Sequence, residues 1–168
     1  MTVQVDVQTF PHFINGKWEP ASNQETFDVF NPATGELVAK VAKGTGADID
    51  RAVKAARAAF DQGDWKNMKP KERAKVLYAI SYQIAEHAEE LAYLEAISSG
   101  GTVRRIGNSD ILQMVDLFQT LANFTLEYPF SETLAVPPFP GPAHNFIWRE
   151  PIGVCAAITP WNLPMVIA

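Results

Sequence analysis

Asn162 is the residue best placed to do chemistry, because it stands in Pro160-Trp161-Asn162-Leu163-Pro164, where two prolines restrict the backbone around a neutral amide. An amide held in this way is a hydrogen-bond donor that can be aimed at a developing negative charge. The preceding run, Val154-Cys155-Ala156-Ala157-Ile158, is short, apolar and bounded by Gly153 and Pro160, the pattern of a strand buried on both faces. A turn at the carboxyl end of such a strand is where open α/β sheets bind ligands. The competing use of Asn162 is structural: capping a helix that Pro164 begins, with Trp161 simply packing.

Other reactive side chains are sparse. Cys155 is the single cysteine, so no internal disulfide forms, and a reducing compartment, the cytoplasm, is expected. Its place in an apolar strand predicts a buried, inert thiol with a raised pKa. His12, His87 and His144 are scattered, with no metal-ligand spacing, and no metal site is assigned.

The elements that position Asn162 follow from periodicity. Phe13-Ile14-Asn15-Gly16-Lys17-Trp18 predicts a tight hairpin, since Asn-Gly tolerates positive φ. Residues 26–30 and 37–41 predict two further strands joined by Asn31-Pro32-Ala33-Thr34-Gly35. From Asp48, the residues Ile49, Ala52, Val53, Ala56, Ala59 and Phe60 fall at helical spacing, and Thr45 with Asp48 resembles a capping box. A second helix begins near Pro70, ends at Ser98-Ser99-Gly100-Gly101 and breaks near His87; a third starts near Asn108 or Ser109. The stripe Ile111, Met114, Val115, Phe118, Leu121 and Ala122 on the third is a core face.

Pro137-Pro138-Phe139-Pro140-Gly141-Pro142 can neither continue a helix nor sit in a central strand, so it predicts a stiff turn between residues 133–136 and 145–149, paired as a ribbon. Phe146-Ile147-Trp148 carries too much apolar bulk to stay bare and should meet another part of the protein or another subunit. The reading is an α/β fold in three parts: 1–130, the ribbon 131–150, and 151–168 as the start of a parallel-sheet core.

The 168 residues are 47% hydrophobic and 20% charged with a net charge of −5. That balance predicts a folded chain and argues against a nucleic-acid surface, which needs clustered Lys and Arg. The amino-terminal residues lack the basic flank and apolar stretch of a secretory signal, and no run is long enough to cross a bilayer. The chain ends one apolar turn after Pro164, which predicts a domain that continues beyond it.

Four blocks in order, Phe13 to Trp18, Phe30-Asn31-Pro32-Ala33-Thr34-Gly35-Glu36, Ala52 to Phe60, and Arg149-Glu150-Pro151-Ile152-Gly153-Val154-Cys155 running into Pro160 to Pro164, resemble the amino-terminal part of the aldehyde dehydrogenase family. The resemblance implies a cofactor-binding domain and oxidation of an aldehyde to its carboxylic acid with NAD or NADP, through a cysteine thiohemiacetal and thioester. It implies that Asn162 donates its amide to the oxyanion, and that Ile158, Thr159, Pro160, Trp161 and Asn162 line the cofactor site. It places the nucleophilic cysteine and the water-activating glutamate downstream, so these residues alone are not expected to be active. The ribbon resembles the bridging hairpin of a homodimer or homotetramer. Asp110 stands near a monovalent-cation site of some relatives, though one residue identifies no metal. Leu163, where many relatives have Phe, and Ser98-Ser99-Gly100-Gly101-Thr102 depart from the family pattern and leave the substrate open. Two other functions fit the sequence: a non-catalytic fragment or split subunit that assembles through the ribbon, and a semialdehyde-specific or coenzyme-A-acylating member.

Overall fold

In the computed structural model, which describes residues 7–135, 141 and 144–167, short strands come first and helices after. The strands are β1 (Gln8–Phe10), β2 (His12–Ile14), β3 (Lys17–Glu19), β4 (Thr26–Phe30) and β5 (Leu37–Ala42). The helices are α1 (Gly46–Gln62), α2 (Pro70–Glu86), α3 (Ala88–Ser99), the single turn α4 (Val103–Arg105) and α5 (Ile111–Glu127). A ribbon, β6 (Ser131–Leu134) and β7 (Asn145–Trp148), and the short α6 (Pro164–Ile167) complete the described chain.

The expected hairpin is β2–β3, turned by Asn15 at φ 52° and Gly16 at φ 74°, the pair of positive angles a two-residue turn requires. The expected strands pair antiparallel as β4 and β5, with an irregularity between Val29 and Phe30. Parallel to β5 on its other edge lies β1, which periodicity did not reveal because three residues are too few to show alternation.

Helix α1 begins at the expected place. Asp48 accepts the Thr45 N–H at 2.8 Å, the acidic half of the capping box. The same carboxylate, 3% exposed, accepts the Ser22 hydroxyl at 2.6 Å and Arg51 Nη2 at 2.7 Å, and Arg51 Nη1 reaches Glu19 at 2.5 Å. Ser22 and the neighbouring donors hold the Asp48 carboxyl far below its ordinary range, so the start of α1 is tied to the β3–β4 segment by an ionised group. The apolar stripe of α1 is only partly covered: Ile49 is 61% exposed.

The break near His87 is real: α2 stops at Glu86 and α3 starts at Ala88. Helices α2 and α5 pack along each other. Ser81, fully buried, donates to the Val115 carbonyl at 3.2 Å and accepts from Gln119 Nε2 at 3.0 Å, and Tyr78 Oη lies 2.5 Å from Asn123 Oδ1. The core gathers Ile84, Ala92, Ala96, Ile106 and Ile111, with Met114, Val115, Phe118 and Met165 against it. The third helical stripe is therefore core, except at Leu121, which is 43% exposed.

Before α5 the chain makes a π-turn over Ile106–Asp110, which spacing did not reveal. It buries Asp110 beside Glu95, and Arg105 Nη1 lies 3.1 and 3.0 Å from the two Asp110 oxygens. Burial first, and the Asp110 charge second, push the Glu95 carboxyl above its ordinary value, against the opposing pull of Arg105. Among the described residues no group of three or more His, Cys, Asp or Glu side chains is arranged to hold a metal. Among the described residues no helix is long and apolar enough to cross a membrane.

Strand β6 begins two residues earlier than expected, while β7 begins at Asn145 as expected, and the two pair Ser131 with Trp148 and Leu134 with Asn145. Of its proline-rich tip, 136–140, 142 and 143 lie outside the described residues. Residues 154–158 correct an expectation: they form no strand and are exposed. A strand exists only through its ladder partners, and among the described residues none lies beside this run. Cys155 is accordingly exposed, so the burial argument for an inert thiol does not hold in this structure.

Candidate active site

The segment carrying Asn162 leaves the fold at the base of the ribbon, where the Arg149 N–H donates to the Phe130 carbonyl at 3.0 Å. The Arg149 guanidinium reaches the Pro129 carbonyl and Glu132 Oε1, each at 2.6 Å, and lies 5.7 Å from the Tyr128 ring centroid. Tyr128 meets Phe130 edge-on at 4.9 Å, and Arg73 lies over Phe130 at 5.0 Å. These side chains, with Phe60, Trp65 and Trp148, line an open groove of about 990 Å³ that Glu150, Pro151 and Gly153 run along. Gly153 sits at φ +124°, where side chains are strained.

From 154 to 162 every residue is exposed. Ile158 is 97% and Trp161 83% exposed, with Thr159, Pro160 and Asn162 between and beside them. The chain is captured again at α6, which lies against α5. There the Ile167 N–H donates to the Leu163 carbonyl at 3.2 Å. The first intrahelical bond thus ends on Leu163, which takes the capping position. Asn162, an exposed residue, stands outside the helix and not at its cap, so the capping alternative does not describe it.

The structure therefore brings Ile158, Thr159, Pro160, Trp161 and Asn162 together on one uncovered stretch, immediately before a helix start docked on the core. Cys155 is on the same stretch, and among the described residues its polar contact is the Gly153 carbonyl oxygen 4.0 Å away. Among the described residues no hydrogen bond joins it to a histidine or cation that would activate a thiolate. Arg149 and Met165 are the anchors at the two ends, and residue spacing marks neither as one. The apolar character of Met165 just after Pro164 was the one available signal.

A profile of the aldehyde dehydrogenase family matches residues 18–168. The chain belongs to the aldehyde dehydrogenase family. It is 38% identical over 163 residues to a mitochondrial benzaldehyde dehydrogenase of Antirrhinum majus, covering 97% of this chain and 30% of that protein. It is 37% identical over 157 residues to the NADP/NAD-dependent aldehyde dehydrogenase PuuC of Escherichia coli, covering 92% of this chain and 30% of that one. The solved Mycobacterium tuberculosis aldehyde dehydrogenase complexed with NAD+ superposes with a TM-score of 0.87 at 34% identity, over 96% of this chain and 32% of that structure. This aldehyde dehydrogenase chain thus spans about a third of the length of such relatives, and its mixed helix-and-sheet architecture is theirs.

Proposed function

We propose that this chain forms the oxyanion-stabilising corner and part of the NAD(P) pocket of an enzyme that oxidises an aldehyde to a carboxylic acid. The observation that carries the reading is the exposed Asn162, flanked by Pro160 and Pro164 and separated by Leu163 alone from a helix that lies against α5. When a cysteine thiolate adds to the aldehyde carbon, the carbonyl π-electrons move onto oxygen, and Asn162 Nδ2–H donates to that oxyanion. A preorganised donor of this kind contributes about 10²–10³ in rate. The thiohemiacetal carbon then loses hydride to give a thioester, and water releases the acid and restores the thiol. The nucleophile is assigned to a cysteine other than Cys155, the single one in these residues, which among the described residues is hydrogen-bonded to no histidine or cation.

The residues fit a nicotinamide cofactor, which when bound supplies the hydride acceptor. Ile158 and Trp161 present apolar faces. Among the described residues the backbone of 154–162 makes no backbone hydrogen bond, leaving its amides and carbonyls available. Ile158, Thr159, Pro160 and Trp161 would hold the ring, and Asn162 would face the substrate side.

Assembly into a homodimer or homotetramer goes through the ribbon in this reading. Phe146 and Trp148 are 64% and 66% exposed on β7, more apolar surface than one strand leaves in water without a partner. The division into a cofactor-binding part, 1–130, the ribbon, 131–150, and a sheet core beginning at 151 belongs to the same proposal. The test is aldehyde-dependent formation of reduced nicotinamide by the intact protein, assayed with NAD+ and NADP+ separately. Turnover with neither cofactor, across aliphatic and aromatic aldehydes, would overturn the reading.

A further inference from the structure

We infer that Arg73 is a positioning residue for the ribbon through which a second copy of this chain is bound, an inference that rests on the assembly proposed above. Phe130 belongs to two bodies at once. Its carbonyl accepts the Arg149 N–H at 3.0 Å, which extends the ribbon ladder one pair beyond Ser131 and Trp148. The Arg73 guanidinium of α2 lies over its ring, 5.0 Å from the centroid, and the ring meets Tyr128, the residue that ends α5, edge-on at 4.9 Å. Arg73 is itself held, since its Nη1 donates to the carbonyl of Met68, ahead of α2, at 3.0 Å. The stacked cation and ring therefore link the start of α2 to the residue at which the ribbon leaves the helices. These contacts are made within the described residues and need no further element to form.

A two-stranded ribbon has little stability of its own, so its direction is set where it is rooted. Strand β6 ends at Leu134, about 13 Å beyond Phe130 at an ordinary strand rise. A tilt of about 10° at Phe130 moves that end by about 2 Å. Side chains packed across an interface lose much of their contact over a smaller gap than that. A protomer whose ribbon points elsewhere has to bring it back before it binds, and its apparent dissociation constant rises by the inverse of the fraction already aligned. The exposed Phe146 and Trp148 provide the apolar contact, and Arg73 provides the alignment.

Sedimentation of the intact protein, in urea that keeps the protomers folded and leaves the parent half dissociated, measures the dissociation constant. The variants are Arg73→Met, Arg73→Lys, Phe130→Leu, Phe130→Tyr, Phe146→Asp and the double variant Arg73→Met/Phe130→Leu. Arg73→Met keeps the stem and removes the cation, and should raise the constant about three- to thirtyfold, the range of one stacked cation and ring. Arg73→Lys loses the planar face and should fall between that variant and the parent. Phe130→Tyr keeps the ring and should stay within about twofold of the parent. In the Phe130→Leu background Arg73→Met should add less than about twofold, since the two side chains act as one contact. An Arg73→Met constant within about twofold of the parent, with a lowered melting temperature, is the result of a merely structural role and overturns the inference. So does an equal factor in both backgrounds. If Arg73→Met does not fold, Arg73→Lys carries the same cycle. A parent that sediments as a single protomer, or a Phe146→Asp constant unchanged from the parent's, defeats assembly through the ribbon and this inference with it. A large Phe146→Asp loss without an Arg73 effect defeats this inference alone.

Discussion

Arg149 Nη1 lies 2.6 Å from Glu132 Oε1, joining the residue that follows β7 to β6. The same nitrogen reaches the Pro129 carbonyl at 2.6 Å, so one guanidinium closes the ribbon base and sets the departure of the segment that carries Asn162. Arg149→Lys keeps the charge but loses the planar fork. It should cost about 1 kcal/mol, after allowance for partial exposure, and lower the melting temperature by a few degrees. Thermal unfolding of the intact protein checks this.

Gly153 at φ +124° predicts that Gly153→Ala strains the same departure, at about 1–3 kcal/mol. Denaturant unfolding at constant m-value would show the loss as a lower midpoint.

The seam between α2 and α5 rests on buried Ser81. Ser81→Ala leaves Gln119 Nε2 without this acceptor and removes the donor to the Val115 carbonyl. The expected destabilisation is about 1–3 kcal/mol, read by chemical denaturation.

Two carboxylates give pH dependence of opposite sign. Glu95 is raised in the folded chain by burial, so the folded state binds more protons than the unfolded one once the pH passes the ordinary 4.5. Stability then falls as pH rises from that value through the folded pKa, and Glu95→Gln should flatten this loss. Asp48 is lowered, chiefly by the Ser22 hydroxyl, so its contribution is present above the ordinary 3.8 and disappears as pH falls below it. Asp48→Asn should remove that acid limb. Denaturation midpoints across the pH range for the two variants distinguish the limbs.

Much of the scaffold was legible because its signals are local. Asn15-Gly16 demands the hairpin, Thr45 and Asp48 fix the start of α1, and the stripe from Ile111 to Ala122 marks a core helix. What stayed hidden depends on partners distant in sequence. The parallel pairing of Gln8–Phe10 with β5 has no local signature, and the π-turn at Ile106–Asp110 is a response to burying Asp110 near Glu95. Residues 154–158 have the composition of an inner strand, but composition cannot supply neighbours, and without them the run lies exposed with Cys155 on it. For the site, the prolines around Asn162 mark the turn on which the proposed function rests. The anchors Arg149 and Met165 needed coordinates, since their partners lie 17 to 81 residues earlier in sequence.

The oxyanion role of Asn162 is read directly from kcat for aldehyde oxidation by the intact protein carrying Asn162→Ala. The expected result is a fall of about 10²–10³ with KM changed by only a few-fold, since the amide meets charge that develops in the transition state. A kcat within about threefold of the parent, in a variant that melts like the parent, would contradict it.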